Sequence, residues 1–179
     1  MSTHPFRLQE INLFDKERFV EVLGALFEGP PWIVEVAWHA RPFSSRAHLY
    51  RVLCDVMEQA PGERQEALLQ AHPDLVGRAA LAGTLTPEST REQSSAGLNA
   101  LSPAEIATFQ QLNQAYRERF GFPFVICARE NKQESILTGF STRLQHSREQ
   151  EIRIALAEVA KICALRLNDL VVPTSLDES

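Results

Sequence analysis

The chain has 179 residues and a mass of 20.1 kDa, long enough for one domain with a full core and too short for two. Hydrophobic residues are 44% and charged residues 23%, an ordinary globular composition. The formal net charge of −5 argues against a general nucleic-acid binder, which needs a basic face. No apolar run approaches the roughly 18–20 residues of a membrane span.

Residues 1–14 read as a loosely packed lead-in with apolar anchors at Phe6, Leu8, Ile11 and Leu13. Asp15 caps a helix carrying Phe19, Val20, Leu23, Leu26 and Phe27, which Gly29-Pro30-Pro31 ends. Trp32 to Ala40 is a second short helix, broken at Arg41-Pro42-Phe43. Ser44 or Ser45 opens a helix to about Gln59 with Leu49, Val52, Leu53 and Val56 on one side. Pro61 starts the next, which carries Leu68 and Leu69 and must stop at Ala71, because Pro73 disfavours helix at His72.

His72 therefore sits where unpaired carbonyls and the negative end of the helix dipole favour imidazolium, which predicts a proton donor near neutral pH. Residues 76–85 are rich in Gly and Ala and read as loop with partial helix. Thr86-Pro87 is a helix start, and Gly97 is its stop. Within that helix Ser89, Glu92 and Gln93 fall at i, i+3 and i+4 and share one face. Taken alone, such a face is most simply solvated, and a lone helix-terminal histidine is most simply a surface residue.

Ser102-Pro103-Ala104-Glu105 is a capping box for a helix that presents Ile106, Phe109, Leu112, Asn113 and Tyr116 and stops at Gly121. Phe120 to Ala128 is apolar without helical period and reads as extended. It is either plain core or a backbone edge whose N–H and C=O groups match a flat amide- or urea-rich ring. Lys132 to about Gln145 is helical. Ser147 and Gln150 box a long last helix to about Leu170. On that helix Ile152, Ala155, Leu156, Val159, Ile162, Cys163 and Leu170 form an apolar arc with Arg166 near its centre. A guanidinium there pairs with a carboxylate, snorkels its stem toward water, or binds an anion at the floor of a pocket. No period-two run is long enough for a sheet, so the fold class is all-α: a single helical-bundle domain of about eight helices, with its core at about 10–170.

Cys54, Cys127 and Cys163 form no CxxC pair and read as small buried hydrophobes in a reducing compartment. The N-terminus lacks a secretory pattern, and the TSLDES tail is not a peroxisomal address, which makes the cytoplasm the expected location. His4, His39, His48 and His146 show no metal-site spacing, and nucleotide and nucleophile-elbow motifs are absent. No metal or other cofactor is expected.

The combined set of motifs resembles one family. Pro31-Trp32, Arg41-Pro42-Phe43, His72-Pro73-Asp74-Leu75, Ser89-x-x-Glu92-Gln93 with Ala96-Gly97-Leu98, Asn113-x-x-Tyr116, Phe120 to Ile126 and Arg166-Leu167 occur in order over roughly residues 10–170. This is similar to the OHCU decarboxylases, which act on 2-oxo-4-hydroxy-4-carboxy-5-ureidoimidazoline in urate breakdown. The resemblance implies an all-helical, cofactor-free carboxy-lyase with a small ureide substrate and a homodimeric assembly. It also implies roles. His72 becomes the acid/base, Glu92 its carboxylate companion, and Arg166 the anion- or ureide-binding arginine. Pro73, Ser89, Thr90, Arg91, Gln93, Phe124, Val125, Ile126, Cys127 and Ala128 complete the expected substrate shell. A lyase or racemase on a related ureide, and a non-catalytic helical ligand-binding module, are the competing expectations.

Overall fold

The computed structural model describes residues 5–173; His4 and the TSLDES tail lie outside the described residues. Ten α-helices account for most of them, and the only β contact among the described residues is one parallel bridge between Phe6 and Val171. The fold is all-α. No helix among the described residues is long and apolar enough to cross a membrane. The described residues form two compact units, 5–65 with 160–173 and 66–159.

In the first unit, α1 (Leu8–Leu13), α2 (Lys16–Leu23), α3 (Trp32–Ala37) and α4 (Arg46–Glu58) pack around Ile11, Phe19, Ile33, Leu49 and Leu53, all essentially fully buried. The capping residues act as their chemistry predicts: Asp15 accepts the Arg18 N–H at 2.8 Å and Ser45 the His48 N–H at 2.9 Å. Two expectations fail locally. The lead-in is a true helix turn, and its Leu13 is 86% exposed rather than an anchor, because α1 turns only Leu8 and Ile11 inward. The helix after Asp15 ends at Leu23, where Gly24 passes into a tight turn to Leu26 well before the prolines. The bridge from Phe6 to the chain after α10 (Arg148–Leu170) ties the two ends of this unit through Phe6 N–H to Leu170 O at 2.8 Å and Val172 N–H to Phe6 O at 2.9 Å.

The second unit begins within α5 (Gly62–Gln70) and holds α6 (Arg78–Leu81), α7 (Pro87–Ser95), α8 (Pro103–Phe120), α9 (Gln133–Arg143) and the first half of α10. Its core is aromatic. Tyr116 contacts Phe120, Phe122, Phe124 and Phe140, and Phe124 stacks on Phe140 at 3.8 Å between ring centres. The capping box at Ser102 forms with both reciprocal bonds, and Gly121 closes α8 at φ +83°, a conformation that glycine adopts without a Cβ penalty. Residues 123–127 after it belong to neither helix nor strand and reach Cys127 in an extended conformation.

Candidate functional site

α5 stops where proline chemistry requires, with His72 donating its own N–H to Leu69 O at 3.2 Å. His72 is only 7% exposed, which removes the surface reading. Its Nδ1 lies 2.8 Å from Leu68 O. A carbonyl only accepts, so Nδ1 carries the hydrogen, which fixes the ring's tautomer and orientation.

The five residues after His72 make a tight loop whose shape is enforced from outside. Val76 sits at φ +53°, a left-handed conformation that a β-branched residue adopts only when its surroundings impose it. Gln93 of α7 supplies the constraint: its Oε1 accepts the Val76 N–H at 3.0 Å, and its Nε2 reaches Asp74 O at 3.5 Å. From α8, Asn113 donates to Leu75 O at 2.8 Å, and the Arg117 Nε–H is shared by the two Asp74 oxygens at 2.9 and 3.1 Å. Gly77 is required on steric grounds, since a Cβ there would stand 2.6 Å from the Asp74 Cβ. Gly77→Ala is expected to destabilise the protein by about 1–3 kcal/mol, read as a lower denaturation midpoint.

α7 forms as its signals predict, with the Thr86 hydroxyl accepting the Ser89 N–H at 3.2 Å and Leu98 N–H closing back on Gln93 O at 3.0 Å. Its polar face is not solvated: Ser89 is 5% and Gln93 7% exposed, with Glu92 half-buried between them. Thr90 and Arg91 point to the other side and are exposed; Arg91 meets Glu88 at 3.5 Å. α7 also packs against the short turn Ala128–Glu130, the end of the extended apolar segment. Burial, reinforced by the carboxylates of Glu130, Glu158 and Glu92, pushes the Cys127 thiol up to about 11, so it remains a neutral thiol and no nucleophile. Burial also raises the Cys54 and Cys163 thiols, and all three cysteines are buried and free. Within the second unit, then, one helix gathers the His72 loop, the Ser89/Glu92/Gln93 face and the end of Phe124–Ala128. These pieces are as much as 56 residues apart in sequence, counted from His72 to Ala128.

Arg166 belongs to the first unit and is buried there, 7% exposed. Its Nη1 donates to Ala25 O at 2.9 Å and its Nη2 to Glu28 Oε1 at 2.9 Å. The arginine at the centre of the apolar arc thus has a buried carboxylate partner, and its guanidinium plane is held in a set orientation. An open furrow of about 630 Å³ along α9, lined by Ala96, Lys132, Gln133, Leu137, Thr138 and Ser141 among others, contains none of the predicted site residues. Among the described residues, no group of three or more His, Cys, Asp or Glu side chains could hold a metal ion.

Four residues that sequence reasoning did not single out prove to hold the extended segment or its surroundings: Arg143, Glu151, Glu158 and, for Arg166, Glu28. A signal for two of them was present. Arg143 follows Ile136 and Phe140 at i+7 and i+3, and Glu151 precedes Ala155 and Ile162 on one stripe, so both charges fall on apolar faces.

A profile of the OHCU decarboxylase family matches residues 12–168. A 2-oxo-4-hydroxy-4-carboxy-5-ureidoimidazoline decarboxylase of Halalkalicoccus jeotgali is 42% identical over 93% of this chain and 92% of its own length. The enzyme of the same name from Mus musculus is 44% identical over 90% of this chain and 91% of its own. Among solved structures, an (S)-allantoin synthase superposes with a TM-score of 0.74 at 24% identity, over 94% of this chain and 54% of that longer one. An OHCU decarboxylase crystallised in the presence of (S)-allantoin gives 0.65 at 21% identity, over 93% and 100%. At those identities the structural likeness speaks to the fold.

Proposed function

Because this chain belongs to the OHCU decarboxylase family, we propose that it releases carbon dioxide from 2-oxo-4-hydroxy-4-carboxy-5-ureidoimidazoline and leaves (S)-allantoin. The observation that carries this reading is the convergence on α7 of a buried His72 loop, the Ser89/Glu92/Gln93 face and the end of the extended segment.

The chemistry suits this set. When the bond from the ring carbon to its carboxylate breaks, the electron pair becomes a double bond to the ureido-bearing carbon, and the adjacent ring C=N nitrogen takes the displaced pair. The substrate is its own electron sink. That ring nitrogen takes up a proton, the hydroxyl proton leaves as a carbonyl forms, and a proton is delivered to the ureido-bearing carbon, so that one proton is taken up overall. His72 and Glu92 hold the hydroxyl and handle these protons. Ser89, Gln93, Pro73 and the Phe124–Ala128 main chain orient the ring, which restricts protonation to one face. Arg166, fixed by Glu28 and Ala25, holds the anionic or ureide end. The chain acts as one domain, as a homodimer and in the cytoplasm.

Purified protein supplied with freshly generated substrate should accelerate CO2 release and yield optically active allantoin. Release at the uncatalysed rate with racemic product would remove the proposal and leave the binding-module alternative. Arg166→Ala should raise KM by roughly 10–100-fold, the worth of a charged hydrogen bond. Circular dichroism must accompany that measurement, since Glu28 is left buried; an unchanged KM in a folded variant would take Arg166 out of the site. Sedimentation as a monomer at working concentration would contradict the dimer.

A further inference from the structure

The extended segment is buried, yet what fixes its line is a set of charged side chains. Arg143 donates Nη1–H to Val125 O at 2.6 Å, Nε–H to Glu151 Oε2 at 2.8 Å and Nη2–H to the Tyr116 hydroxyl at 3.3 Å. Its guanidinium also lies 4.3 Å from the centre of the Phe124 ring. Glu151, 0% exposed in the first turn of α10, accepts the Tyr116 hydroxyl as well and meets His146 Nδ1 at 2.7 Å. Burial drives the Tyr116 phenol up, so it stays a donor. Two residues further along the segment, the Cys127 N–H donates to Glu158 Oε2 at 2.8 Å and its carbonyl accepts from Asn131 Nδ2 at 3.0 Å.

The segment is therefore pinned at residues 125 and 127. Between the pins, the N–H of Val125 and both the N–H and C=O of Ile126 make no hydrogen bond to any of the described residues. These are the donor and acceptor groups a ureide edge would complement. A buried ion pair is weak evidence of stability, because well-packed apolar side chains commonly do as well. What arginine offers here is geometry: one planar fork that reaches a carbonyl, a carboxylate and a phenol at once.

We propose that Arg143 is a positioning residue for the reaction, holding the Phe124–Ala128 main chain through Val125 O in the line that orients the ureide and selects the protonated face. This rests on the decarboxylase reading. Arg143→Lys keeps the charge but cannot span the three acceptors. It should raise KM by tenfold or more and lower the enantiomeric excess of the allantoin, with the pH profile of kcat unchanged.

Tyr116→Phe is the comparison. It removes one partner of the network and leaves Arg143 on Val125, so it should lower Tm while KM and enantiomeric excess stay at the wild-type values. A wild-type KM and enantiomeric excess in Arg143→Lys overturns the proposal, and so does a Tyr116→Phe variant that shifts both as far at an equal loss of Tm. Should Arg143→Lys fail to fold, Glu158→Ala frees the Cys127 N–H and must raise KM in the same way; a wild-type KM there overturns the proposal too. Wild-type protein that does not decarboxylate sinks the underlying reading together with this one, whereas an active wild type with an unchanged Arg143→Lys removes the positioning role alone.

Discussion

His72→Ala is expected to lower kcat/KM for decarboxylation by about 10²–10⁴-fold, the usual contribution of a positioned acid/base. The helical signal in circular dichroism should be retained. Leu68 O fixes Nδ1 as a donor, which sets the tautomer and orients the ring. Removing the ring also loses the bond to Leu68 O, a change of about 1 kcal/mol. His72→Asn separates the two effects, because an amide N–H can replace Nδ1–H at Leu68 while no group replaces Nε2. Stability should recover in that variant and activity should not. Decarboxylation at the wild-type rate in either variant would discard His72 as the acid/base.

Glu151→Ala should be the most destabilising single change in the second unit. The carboxylate is fully buried and serves Arg143 at 2.8 Å, His146 at 2.7 Å and the Tyr116 hydroxyl. Its removal leaves a buried guanidinium whose charge has lost its counter-ion, which costs about 3–5 kcal/mol. For a chain of this length that corresponds to a fall in Tm of roughly 6–20 °C. Glu151→Gln, which keeps an acceptor in place, should cost less. A melting temperature within a degree or two of wild type in Glu151→Ala would mean the network is not what holds these helices together.

Local chemistry made much of this molecule legible in its sequence. Asp15, Ser45, Thr86, Ser102 and Ser147 open helices because a short polar side chain satisfies a backbone N–H two or three residues on, an interaction complete within one turn. The stop at His72-Pro73 and the left-handed glycine at 121 are equally local. The motifs also carried the family resemblance, since His-Pro-Asp-Leu, the Glu-Gln pair and the Phe-Gly-Phe-Pro-Phe run can be read directly as strings.

Other features were out of reach for a definite reason. Ser89 and Gln93 look solvated in a sequence because a polar helix face is indistinguishable from a buried one until something covers it, and what takes up Gln93 is a loop 17 residues earlier. Leu13 looks like an anchor because apolar spacing says nothing about which side of a one-turn helix meets the core.

The sequence by itself determined where most helices begin, the all-α class and the family, because capping, proline sterics and motif order act over a few residues. Only the tertiary structure decided that Gln93 holds a strained Val76, that Arg166 meets Glu28 138 residues away, and that Arg143 and Glu151 fix the extended segment. Each of those is a buried polar group whose partner lies elsewhere in the chain, and the energy that selects the partner exists only once water has been excluded from around both.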